Sequence, residues 1–107
     1  MDNVTDADFA TTVLEASKSK PVIVDFWAIW CGPCRAVAPI LEDIYSQYSE
    51  KIEIVKLNTD ENLQTSLAYN ITSIPTMIVF VDGKAVKTMI GAKPKPAILA
   101  DLAPWIK

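Results

Sequence analysis

The apolar positions of this chain change period repeatedly, from about two residues to about 3.6 and back, and each change marks an element boundary. Thr5 and Asp8 form a T-x-x-D pattern of the capping-box kind, so a helix is expected to open near Thr5 and run through Phe9, Val13 and Leu14 towards Lys18. "PVIVDFW" (21–27) reads as a strand. Apart from Asp25 it is apolar on both alternating faces, the pattern of a central strand covered by helices on either side. Beyond Cys34, the residues Val37, Leu41, Ile44 and Tyr48 recur at helical spacing. A long helix therefore begins at or just before Cys34, and Pro39 should kink it.

"IEIVKLN" (52–58) is a second strand, and "NLQTSLAYN" (62–70) reads as a short helix with Leu63 and Leu67 inward. "TMIVFVDGKAVKTMIG" (76–91) predicts two strands joined by a tight Asp82-Gly83 turn. After "KPKP" (93–96), taken as a solvated loop, "PAILADLAPWIK" carries a proline suited to a first helical turn. Its Ile98, Leu102 and Trp105/Ile106 stripe would cover one face of a sheet. Helices and strands alternate throughout, so the fold class is α/β, and 107 residues suit one domain over 1–107.

Composition adds exclusions. The chain is 50% apolar and 21% charged, the balance of a folded protein rather than a disordered one. With a net charge of -3, no histidine and no basic run, it has no electrostatic footprint for nucleic acid or anionic lipid. No apolar run approaches a membrane span and the start is not a signal sequence, so a cytoplasmic protein is expected.

Both cysteines lie in "WCGPCR" (30–35), as Cys31 and Cys34. As a staple the pair is weak, since closing so short a loop removes only about 2 kcal/mol of unfolded-chain entropy. As a metal site it is short of ligands, because zinc or an iron-sulfur cluster needs about four and the chain has no histidine to add; no metal is expected. Redox exchange suits the placement best. A sulfur at the start of a helix faces unpaired N–H groups and the positive end of the helix dipole, an interaction of up to about 2 kcal/mol that favours thiolate. Cys31 is then the attacking nucleophile. Cys34, one turn into the helix, should be more buried and acts as the resolving thiol, leaving a Cys31–Cys34 disulfide.

Asp25 interrupts an apolar strand, where an unpaired charge costs several kcal/mol, so its pKa should be raised. It is the candidate general base that takes the proton of Cys34. Lys56 is a similar oddity in its strand and a candidate partner that tunes the site, although a lysine near a strand end also snorkels to water. In "SIPT" (73–76) a cis Ile74–Pro75 bond is open to this proline, as about 5% of X-Pro bonds are cis. Trp27, Phe26 and Phe80 read as plain core.

Taken together, "VDFWA", "WCGPCR", "AP" (38–39), "KLNTDEN" (56–62), "SIPT", "DGK" (82–84) and "GA" (91–92) resemble the thioredoxin family nearly end to end. The resemblance implies the thioredoxin fold, a central mixed parallel/antiparallel sheet flanked by helices on both faces, with cis Pro75 beside the cysteines. It implies a general protein disulfide reductase with Asp25 as base, and with Gly32 and Pro33 keeping the potential reducing. Trp30, Gly32, Pro33, Ile74, Pro75 and Gly91 match the groove where substrates dock. The implied partners are disulfide-containing protein substrates and a thioredoxin reductase. NADPH and flavin belong to that reductase, since this chain has no dinucleotide fingerprint and needs no cofactor beyond its own cysteines. A monomer is expected. Two residues depart from the family pattern: Ile29, which makes the groove rim more apolar and shifts the partner range, and Asn70, which stands where glycine is common but tolerates positive φ. Rival readings are an oxidase or isomerase on the same fold, and a non-catalytic binding module or subunit of a larger complex.

Overall fold

A five-stranded sheet in the order β1-β3-β2-β4-β5 organises the molecule, with β1 Asp2–Asn3, β2 Val22–Trp27, β3 Glu53–Asn58, β4 Thr76–Val81 and β5 Lys84–Ile90. The computed structural model describes all 107 residues. β1, β3 and β2 run parallel, whereas β4 is antiparallel to β2 and β5 to β4, so the sheet is mixed. Three α-helices accompany it: α1 Gly32–Tyr48, α2 Leu63–Ala68 and α3 Lys95–Ile106.

Period-two alternation divides β2 between two cores. Ile23 faces α1 and α3, where it meets Ile54, Met77, Val79 and Met89 from the other strands and Val37, Leu41, Ile44, Ile98 and Leu102 from the helices. Val22, Val24 and Phe26 face the other way, onto Phe9, Val13, Leu57, Ile78 and Phe80. Each such aliphatic side chain, fully withdrawn from water, contributes about 1.5–3 kcal/mol. Phe80 and Phe26 are core as expected. Phe9, Tyr69 and Phe80 form a tilted and edge-on aromatic trio with centroids 5.2–5.6 Å apart.

The first helical segment departs from simple α geometry. Thr5 and Asp8 do make the reciprocal cap, Thr5 N–H donating to Asp8 Oδ1 at 2.7 Å and Asp8 N–H to Thr5 Oγ1 at 3.4 Å. Beyond them the backbone winds as a π-turn over Ala10–Glu15 and tightens to 3₁₀ over Ala16–Lys18. Ahead of it, β1 has only two residues, both exposed, and so left no apolar signal; it is held by pairing Asp2 with Val55 and Asn3 with Lys56. The β4–β5 connection is the expected two-residue turn, with φ of 53° at Asp82 and 78° at Gly83, and Asn70 adopts φ 55°. Pro39 lies inside α1, as does Pro104 inside α3.

α2 reverses the expected orientation. Leu63 and Leu67 are 63% and 76% exposed, while Thr65 and Ser66 are buried. The cause lies 58 residues upstream: Asp6 accepts from Gln64 N–H at 3.2 Å, Thr65 N–H at 2.9 Å and Thr65 Oγ1 at 2.7 Å. A carboxylate capping the first turn turns the polar side of the helix inward. Asn62 adds to the clasp by accepting from Asp6 N–H at 2.8 Å.

Candidate active site

β2 delivers Asp25 and Trp27 to the α1 side of the sheet, and a short turn, with Cys31 N–H bonded to Ala28 O at 3.1 Å, carries the chain into α1. Cys31 is the N-cap of that helix, in extended conformation at φ -86° and ψ 107°, and Pro33 occupies the first turn, where its missing N–H is not needed. The Cys31 sulfur takes the place of a capping oxygen and accepts from Cys34 N–H at 3.1 Å. The N-terminal placement read from the sequence is therefore real. The two sulfurs are joined as a disulfide with Cα atoms 5.3 Å apart.

Burial does not separate the cysteines as expected: both are 3% exposed. Ala28, Trp27 and Ile74 pack over the pair together, which shields Cys31 as well as Cys34. Their neighbours differ instead. Cys31 Sγ lies 3.8 Å from Ile74 O, on the outer side, whereas Cys34 lines a cavity of about 110 Å³ with Asp25, Trp27, Arg35, Ala38 and Lys56.

Asp25 is 1% exposed and its Oδ1 has no hydrogen-bond partner. Burial pushes its pKa up to about 7, and the positive charge of Lys56 opposes that rise. Lys56 is the register neighbour of Asp25 across β2 and β3, yet no ion pair joins them. Its ammonium sits 5.1 Å from the Trp27 ring centroid instead. Trp27 is thus corrected from plain core to a wall of the site; it is half-buried and its Nε1 is unpaired. The alternation that puts Asp25 and Trp27 on one face of β2 was the available signal.

Around the disulfide, Trp30 is 66% exposed and Gly32 and Pro33 are exposed. The Ile74–Pro75 bond is cis, Pro75 is buried, and its carbonyl accepts from Gly91 N–H at 2.8 Å, with Gly91 at φ 92°. This brings Pro75, Ile74 and Gly91 together with the cysteines. The backbone N–H and C=O of Ile74 take no part in the sheet's hydrogen bonding. Sequence reasoning missed Asp60, which accepts from Trp30 Nε1 at 2.8 Å, because nothing local marks a partner 30 residues away. No three His, Cys, Asp or Glu side chains are grouped to hold one metal ion.

A disulfide that caps a helix beside a buried carboxylate is arranged for exchange with another thiol or disulfide, the chemistry of a thiol–disulfide oxidoreductase. The family model described as Thioredoxin matches residues 1–104. Thioredoxin 1 of Synechococcus elongatus is 54% identical over 95 residues, covering 89% of this chain and 87% of that protein. The thioredoxin of Mycobacterium tuberculosis is 51% identical over 100 residues, with 94% and 84% covered. The bifunctional thioredoxin reductase/thioredoxin of Mycobacterium leprae is 50% identical over 100 residues, or 94% of this chain and 21% of that protein. The chain belongs to the thioredoxin family, and with its Cys31–Cys34 pair it has the role of a protein disulfide reductase.

Proposed function

We propose that reduction proceeds by attack of the Cys31 thiolate on a substrate disulfide, forming a Cys31–substrate mixed disulfide and releasing one substrate thiolate. Asp25, which burial holds near its titration point at neutral pH, acts in its ionised form as the base that takes the proton of Cys34 across their shared cavity, which has room for a bridging water. The Cys34 thiolate then attacks Cys31 Sγ, expelling the second substrate thiolate and leaving the intramolecular disulfide. Two electrons pass from the protein to the substrate. The observation that carries this reading is the Cys31 sulfur capping α1, since the N–H groups and dipole that hold it there stabilise it as a thiolate.

Lys56 acts at a distance, its charge keeping Asp25 able to ionise near neutral pH. The substrate lies in the groove formed by Trp30, Ile74, Pro75 and Gly91, pairing its extended backbone with the N–H and C=O of Ile74, which have no backbone partner within the chain. Gly32 and Pro33 keep the pair reducing. Electrons return from a flavin- and NADPH-dependent thioredoxin reductase, a partnership supported by the Mycobacterium leprae relative whose name joins both activities. The protein works as a cytoplasmic monomer, with no cofactor of its own.

Insulin reduction coupled to such a reductase tests the assignment. Cys31→Ser should abolish turnover, and Asp25→Asn should slow resolution of the mixed disulfide and flatten its dependence between about pH 6 and 9. Unchanged rates in the Asp25 variant remove it from the mechanism. Full biological function of a cysteine-free chain overturns the enzyme in favour of a binding module, and an equilibrium potential near about -120 mV overturns it in favour of an oxidant.

A further inference from the structure

The inverted α2 leaves two leucines, one helical turn apart on one face, with no partner inside the chain. Single exposed leucines are ordinary. The helix that carries them is flanked on both sides by residues that touch the disulfide-bearing surface. Just ahead of α2, Asp60 holds the indole of Trp30. Just after it, Ile71 N–H is bonded to Ser66 O at 2.9 Å, and Ile71 lines one depression with Trp30 and Ile74, whose carbonyl lies beside Cys31. Leu63 and Leu67 therefore stand exposed on a six-residue helix whose flanking segments both reach the surface around Cys31.

Charge narrows the occupant. From Leu57 to Gly83 the chain contains no Lys or Arg, while Asp60 and Glu61 are exposed at the start of α2, close to the Asp6 carboxylate that caps it. The strip is apolar with an acidic rim. A second copy docked about a two-fold axis would set that rim against itself, an unfavourable like-charge contact. A partner bearing an aliphatic side chain with a cation beside it complements both features.

We propose that Leu63 and Leu67 are specificity-determining residues for disulfide reduction, extending the docking face along α2 towards protein substrates that carry an aliphatic residue and a Lys or Arg next to the disulfide. The inference rests on the reductase reading above. Because the leucines lie away from the reacting sulfurs, they hold substrate equally before and during exchange, so their contribution falls on KM and not on kcat.

The test is steady-state turnover of the full chain with its reductase on two disulfide-bridged peptides of equal length, one flanked by Leu and Lys, the other by Ser and Glu. Dithiobis(nitrobenzoate) serves as a probe too small to reach α2. In the Leu63→Gln/Leu67→Gln variant, KM for the Leu/Lys peptide should rise about tenfold at constant kcat, with the other peptide and the probe unmoved. Salt should raise KM for the Leu/Lys peptide with the unsubstituted chain. An unchanged KM for that peptide, or equal rises for both peptides, overturns the inference. So does a dimer of the unsubstituted chain in sedimentation that the substitutions abolish, which assigns the strip to a second copy. Failure of the unsubstituted chain to reduce the probe sinks the reductase reading itself, whereas probe reduction with unmoved peptide KM values sinks this inference alone.

Discussion

Asp25, buried to 1% exposure with one oxygen unpaired, makes the stability of the oxidised protein depend on pH in a definite direction. Below about pH 4 the carboxyl is protonated in both folded and unfolded chains. Between the ordinary value of 3.8 and the folded value of about 7, the unfolded chain releases the proton and the folded one keeps it, so stability falls as pH rises, levelling above 7. The shift corresponds to roughly 4 kcal/mol at pH 8. Asp25→Asn should thus add little at pH 4 and roughly 4 kcal/mol at pH 8 by urea unfolding. An equal gain at both pH values would mean that charge burial is not the cause. Asp25 was legible because a charge in an apolar strand stands out at once. Trp27 was not, because a tryptophan reads as core whether it faces a core or a cavity, and Asp60 was not, because its partner Trp30 comes from another segment.

Among the elements, α1 was legible and α2 was not, for opposite physical reasons. The α1 stripe of Val37, Leu41 and Ile44 is buried as its spacing predicts, because a long helix can bury its apolar side only against the sheet. α2 has six residues, too few for its own stripe to decide its orientation. The Asp6 clasp decides it. The three bonds to Thr65 and Gln64 hold the Asp6 carboxyl below the usual carboxylate range, foremost through the Thr65 hydroxyl. A depressed folded pKa gives stability that is present above the unfolded value and lost as pH falls through the folded one. Asp6→Asn should therefore lower the urea midpoint at pH 7 and lose its effect in acid below the folded pKa. An acid-insensitive difference would assign the loss to the shape of the side chain and not to its charge. The variant should also release Leu63 and Leu67 from their outward setting, which limited proteolysis around α2 would report.

At the scale of the molecule, stability is graded across the sheet. β2 is paired on both sides, to β3 over Val22–Trp27 and to β4 over Val22–Phe26, and it separates two cores. β1 contributes two exposed residues at an edge. Native-state hydrogen exchange should find β2 amides opening only with global unfolding and the Val4 amide, bonded to Lys56 O, opening earlier. Equal protection at both would mean that the sheet opens as one unit.

The sequence alone determined the alternation of elements, the turn at Asp82-Gly83, the position of Cys31 at a helix start and the misplaced charge of Asp25. Each is a local matter of period, backbone angle or spacing, settled within a few neighbouring residues. Only the tertiary structure decided the equal burial of the cysteines, the Lys56–Trp27 contact in place of an ion pair, and the outward leucines of α2. Those depend on which groups long-range pairing brings within a few ångströms, such as Asp6 against Thr65, and a charged or polar group near a choice of partners settles on one that the chain's order does not name.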